Sequence, residues 1–126
     1  MALLVDSSVW TALFLNFDTQ HAKAARLFPA LKGVIYVPYC VIAEVTTILT
    51  YKHSKKQADL FLKYLGGNHD IILFDNVLRE EIFFFQTIRH DISFTDAALV
   101  FLSGKLKARL ITFDRQLARI AKTTDQ

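Results

Sequence analysis

Short, continuous apolar runs alternate along this chain with longer stretches whose apolar residues recur every three or four positions. Residues 2–6, 34–37, 71–74 and 109–112 form the short runs, rich in Leu, Ile and Val. They lack the in–out alternation of a strand with one wet face, as expected for parallel strands covered on both sides. The stretches between them predict helices. One is capped by Ser7 or Ser8 and runs to about Asn16; a second covers 19–28, where Pro29 disturbs it. A third spans 39–52 behind Pro38, and a fourth starts at Ser54 and ends at Gly66-Gly67. A fifth runs from Asp75 or Asn76 through Arg89, a sixth from Ser93 past Gly104, and a seventh follows Asp114. The resulting order, βααβααβααβα, predicts one α/β domain over residues 1–126, with a parallel sheet and helices on both faces.

Four acids interrupt this pattern. Asp6 closes the first run and Asp114 the last, each at the outlet of a predicted buried strand. Glu44 lies within an apolar helical stripe, with Cys40, Val41, Thr47 and Ile48 as its neighbours at three and four residues. Asp96 opens the stretch Ala97-Ala98-Leu99-Val100. An isolated buried carboxylate costs several kcal/mol or takes up a proton. Four of them point to a shared cation, and an all-oxygen set favours Mg²⁺ or Mn²⁺. Helix capping is the competing explanation for Asp6 and Asp114, and a capping box with Ser93 for Asp96. Glu44 has no capping role. In open parallel sheets ligands bind beyond the carboxyl ends of the strands, so Asp6 and Asp114 meet in one crevice if the first and last strands are neighbours.

Composition narrows the class further. The chain has 126 residues, 52% of them hydrophobic, enough for one real core. The apolar stretch 34–43 is far short of the roughly 20 residues of a membrane span. No charged leader precedes the first strand, so no signal peptide is expected. The single Cys40 excludes an internal disulfide and suits a reducing compartment, with the cytoplasm as the expected address. The net charge is +3, from fifteen basic and twelve acidic residues. Lys105, Lys107, Arg109, Arg115, Arg119 and Lys122 are set against Asp114 alone in the last helical region, which suits a polyanion such as nucleic acid. His21, His53, His69 and His90 lack metal-ligand spacing, and no Gly-rich phosphate loop is present. The Ile82-Phe83-Phe84-Phe85 run wraps more than half of its helix, so part of it meets another helix or a second copy in a homodimer.

With these residues in view the chain resembles the PIN-domain family, and within it the small VapC-type ribonuclease toxins. The resemblance rests on Val5-Asp6-Ser7-Ser8-Val9-Trp10, Ile42-Ala43-Glu44-Val45, Ser93-Phe94-Thr95-Asp96-Ala97 and Leu110-Ile111-Thr112-Phe113-Asp114, in that order. It implies a sheet of order 3-2-1-4, extended in the family by a fifth edge strand, for which residues 122–126 offer no apolar run. It further implies Mg²⁺- or Mn²⁺-dependent hydrolysis of RNA phosphodiesters, with Asp6, Glu44, Asp96 and Asp114 as the catalytic and metal-binding quartet. Ser8 and Thr112 would support the carboxylates from behind, Arg115 and Arg119 would hold RNA backbone, and a small antitoxin protein would be a partner. Two other readings stay open. One is a phosphohydrolase with an aspartate nucleophile, although its usual second aspartate is replaced here by Ser8. The other is a non-catalytic PIN-like module that binds nucleic acid or protein, for which four mutually repelling carboxylates serve no purpose.

Overall fold

The computed structural model describes residues 1–124. Four strands, β1 (Ala2–Val5), β2 (Val34–Pro38), β3 (Ile71–Phe74) and β4 (Arg109–Ile111), alternate with seven helices in the described residues. The helices are α1 (Ser7–Phe14), α2 (His21–Leu27), α3 (Tyr39–Lys52), α4 (Lys55–Gly66), α5 (Leu78–Thr87), α6 (Phe94–Lys105) and α7 (Arg115–Thr123), with a single 3₁₀ turn at Phe28–Ala30 after α2. The sheet is parallel throughout, in the order β3-β2-β1-β4. The described residues end one residue beyond α7, so a fifth strand after that helix lies outside them.

β1 is the central strand. Leu3, Leu4 and Val5 are all at most 1% exposed. Successive strand residues point to opposite faces, so both faces are covered at β1, which explains its unbroken apolar sequence. One side of the core is aromatic: the Trp10 ring lies 4.9 Å from Phe28 and 5.4 Å from Phe61. A smaller cluster joins Val100, Leu117 and Ile120 to Phe84, Ile88 and Ile92. Such burial contributes roughly 1.5–3 kcal/mol for each large side chain. Gly33, at φ 115°, carries the chain into β2 where a Cβ would collide with the Met1 carbonyl, so only glycine fits there.

Several boundaries differ from the sequence expectation. β1 and β4 each end one residue early, at Val5 and Ile111, where Asp6 leads into α1 and Thr112 into the turn before α7. α2 begins at His21, not Thr19, since Asp18 accepts a hydrogen bond from the Gln20 N–H (2.8 Å) and folds that stretch into a turn. α5 begins at Leu78 and ends at Thr87. At its start, buried Val77 is anchored in the main core. At its end, Ile88 turns extended to pack against the Val100 cluster. Tertiary packing here overrides a longer helical period.

Candidate active site

β1 and β4 pair in register, Leu4 opposite Leu110 and Val5 opposite Ile111, and the Asp6 N–H continues the ladder to the Ile111 carbonyl (2.9 Å). The residues leaving both strands therefore emerge side by side. Asp6 stands before α1 without capping it. Its Oδ2 instead accepts from the Ser8 hydroxyl at 2.9 Å and from the Thr112 hydroxyl at 2.8 Å. Thr112 Oγ1 in turn accepts from the Asp114 N–H at 3.0 Å. Asp6 is 5% exposed, and two donors plus the positive end of α1 offset the cost of burying its charge.

The other three acids come from helices. Asp114 caps α7, its Oδ1 accepting from the N–H groups of Gln116 (2.9 Å) and Leu117 (3.2 Å). Asp96 sits in the first turn of α6, where Ser93 Oγ takes its N–H at 3.1 Å. Glu44 projects from the middle of α3, which packs against α6. Capping thus accounts for the backbone around Asp96 and for Asp114, and it leaves both Asp6 and Glu44 unexplained.

Burial raises the Asp96 pKa, and the charges of Asp6, Glu44 and Asp114 raise it further, to about 6 against an ordinary 3.8; its Ser93 hydrogen bond offsets only part of this. Asp6, Glu44 and Asp114 thus lie near enough to Asp96 for their charges to reach it. Among the described residues, no three of these side chains are drawn in tightly enough to hold one ion as they stand. The two facts agree physically: Coulomb repulsion acts across several ångströms, whereas Mg²⁺ ligation requires oxygens at about 2.0–2.1 Å. The donor set fits such a cation, with four hard oxygen ligands, one of them pre-oriented by two hydroxyls.

Two grooves meet at this site. One of about 390 Å³ is lined by Ser8, Thr11, Asp18, Gln20, Ile48, Lys52, Phe113 and Asp114. The other, about 520 Å³, is lined by Tyr39, Cys40, Glu44, Thr47, Ile48 and Phe94, with Thr95. Cys40, Glu44, Ile48 and Lys52 are spaced by four and form one face of α3, the common floor of both grooves. That spacing is visible in the sequence, yet nothing there marks Lys52, Tyr39 or Thr95 as part of the site. Lys23 Nζ also lies 4.8 Å over the Phe113 ring beside the smaller groove.

Arg115 and Arg119 are on α7 and form no ion pair among the described residues. The basic stretch is divided: Lys105 pairs with Glu80 at 3.0 Å, while Arg109 and Lys122 line a separate groove of about 340 Å³. Glu81 carries no signal in the sequence, since Arg79-Glu80-Glu81 reads as a solvated run. It is 8% exposed, and burial first and Glu80 second raise its pKa. Burial, then the Glu81 charge, pushes the Cys40 thiol up to about 11, against partial relief from a Thr95 hydrogen bond.

A family model described as PIN domain matches residues 3–123. The VapC ribonuclease of Archaeoglobus fulgidus is 28% identical over 127 residues, covering 94% of this chain and 80% of that protein. The crystal structure of Mycobacterium tuberculosis VapC20, described as a sarcin-ricin loop cleaving toxin, superposes with a TM-score of 0.83 at 22% identity, covering 93% of both chains.

Proposed function

The chain belongs to the PIN-domain family, and on that footing we propose that it is a divalent-metal-dependent endoribonuclease, the toxin of a toxin–antitoxin pair. The observation that carries this is the side-by-side exit of Asp6 and Asp114 from the paired strands β1 and β4, with Thr112 bonded to both and Ser8 to Asp6; burial first, and then the charges of Asp6, Glu44 and Asp114, raise the Asp96 pKa beside them. The likeness to a VapC ribonuclease over 94% of this chain and 80% of that protein supports RNA as substrate.

Asp6, Asp96, Asp114 and Glu44 would hold Mg²⁺, with Mn²⁺ able to substitute. When bound, such an ion neutralises the phosphate, acidifies a water and stabilises the leaving oxygen. The chain's own part is positioning. Ser8 and Thr112 fix Asp6 Oδ2, which leaves Oδ1 without a hydrogen bond among the described residues and available as a ligand. Asp96 would serve as a ligand at the start of α6, and Glu44, on α3, would bind the ion or orient the attacking water. Lys52 and Lys23, with Arg115 and Arg119 farther along α7, would hold the RNA backbone by charge. The exposed α5 side chains Leu78, Ile82 and Phe83 suit a homodimer contact, and the acidic crevice suits an antitoxin that inserts an Arg or Lys. The free Cys40 thiol is consistent with the cytoplasm. Among the described residues no helix is long and apolar enough to cross a membrane.

The deciding experiment is cleavage of single-stranded RNA with Mg²⁺ or Mn²⁺ by wild type and by Asp6→Asn. Wild type should give 5′-phosphate and 3′-hydroxyl ends. Excess EDTA or Asp6→Asn should lower turnover at least about a hundredfold. Full activity under either condition overturns the proposal.

A further inference from the structure

The larger groove has a chemistry of its own. Tyr39 is 62% exposed at its rim, and Phe94 forms part of its lining. Phe94 is held from behind by Phe85, at a ring distance of 5.6 Å. Thr47, Thr95 and Glu44 add hydrogen-bonding groups, and no Lys or Arg lines it. A groove without cations is a poor seat for a phosphate backbone. With a volume of about 520 Å³, it opens broadly to the surface, a shape that suits a flat base laid on an aromatic platform. The cation, Lys52, is in the other groove, across Ile48. The two grooves offer a nucleotide strand different surfaces: the smaller holds Lys52 beside Asp18, Asp114 and the Phe113 ring, while the larger presents Tyr39 and Phe94 and no cation.

Resting on the ribonuclease reading, we propose that this groove is a nucleobase subsite. An unpaired base of the RNA next to the scissile phosphate stacks on Tyr39 and Phe94, while the backbone on the opposite side runs past Lys52. Continuity supports this occupant over a partner protein, because the groove is walled by Glu44 and by Thr95, the chain neighbour of Asp96, and shares Ile48 with the groove that holds Ser8 and Asp114. A base in the groove is thus joined directly to a phosphate at the acids. Single-stranded RNA presents such splayed bases, and stacking them on aromatic rings is a general mode of recognition. Tyr39 is a specificity residue here and takes no part in the chemistry.

The test compares Tyr39→Ala and Tyr39→Phe on a short single-stranded RNA and on the same RNA made abasic at single positions around the cut. Tyr39→Ala should raise KM roughly tenfold, the scale of one lost stack, with kcat within about twofold; Tyr39→Phe should restore wild-type KM. One abasic position should weaken wild type to the same degree and leave Tyr39→Ala unaffected. Equilibrium binding by anisotropy, in an Asp6→Asn background with and without Tyr39→Ala, reads the same loss without turnover. If wild type cleaves RNA and Tyr39→Ala keeps its KM, the subsite is wrong and the nuclease reading stands. If Tyr39→Ala leaves RNA binding intact and instead shifts the oligomer mass in light scattering, the groove is a protein interface. If wild type neither binds nor cleaves RNA, both readings fall.

Discussion

The hydroxyl of Thr112 donates to Asp6 Oδ2 at 2.8 Å while accepting the Asp114 N–H at 3.0 Å. One oxygen thus fixes the carboxylate at the end of β1 and the backbone that presents the carboxylate after β4. Thr112→Val keeps the shape and removes both bonds, so Asp6 loses one of two donors in a buried site. Activity should fall about 10- to 100-fold and stability by about 1–3 kcal/mol, with Thr112→Ser close to wild type in both. Chemical denaturation beside RNA cleavage checks this. Equal activity in the valine and wild-type proteins would mean that the bridge plays no part in positioning.

Asp96 predicts an unusual pH dependence of stability. Its pKa is raised in the fold to about 6 from 3.8. Its cost to the folded state is therefore absent below about pH 4, grows between about 4 and 6, and is complete above. In EDTA at pH 7.5, Asp96→Asn should melt above wild type, and the difference should vanish near pH 4. Mn²⁺ should raise the wild-type Tm and raise the variant's less, since a ligand that binds only the native state stabilises it. Glu44→Gln should move in the same direction. Wild type unmoved by Mn²⁺, with both amides melting lower, would leave the four acids as caps and pairing partners only.

Cys40 should be a slow thiol. With its pKa pushed to about 11 from 9.0, its thiolate fraction at pH 8 is about a hundredfold below that of an ordinary cysteine, and alkylation should slow in proportion. Glu81→Gln removes a charge that opposes the thiolate, so iodoacetamide should react faster in that variant. An unchanged rate would show that burial alone governs the thiol.

Phe83 is 69% exposed on α5, whereas the neighbouring Phe84 packs on Phe101 at 5.5 Å. Phe83→Asp should leave the Tm near wild type, because surface changes are usually worth within about ±0.5 kcal/mol, and should turn a dimer into a monomer by light scattering. A wild-type monomer across micromolar concentrations removes this interface.

Strand positions are legible in the sequence because buried parallel strands have nowhere to place a polar residue, and each apolar run is within a residue of a strand. The order β3-β2-β1-β4 is not readable from pattern alone and enters only through resemblance. Helix ends are poorly legible at α2 and α5, where a turn at Asp18 and the anchoring of Val77 and Ile88 decide the limits. Asp6, Glu44, Asp96 and Asp114 stand out in the sequence because each breaks an apolar context. Lys52 and Tyr39 do not, since a lysine at a helix end and an exposed tyrosine look ordinary until the fold shows what lies beside them. Glu81 is hidden for the opposite reason: its neighbours are charged, and only the packing of α5 buries it.

Asp6 and Thr112 are 106 positions apart in the chain, and β1 gains its β4 neighbour only through residues 109–111. During synthesis the first carboxylate therefore leaves the ribosome long before the hydroxyl that orients it. A nascent chain carrying β1 to β3 has the sheet's centre but an open edge where the crevice belongs, and closing it waits on a contact of very high sequence separation, the slow kind in folding. On the ribonuclease reading proposed above, the protein is made beside RNA with its site incomplete until residues 109–114 have emerged.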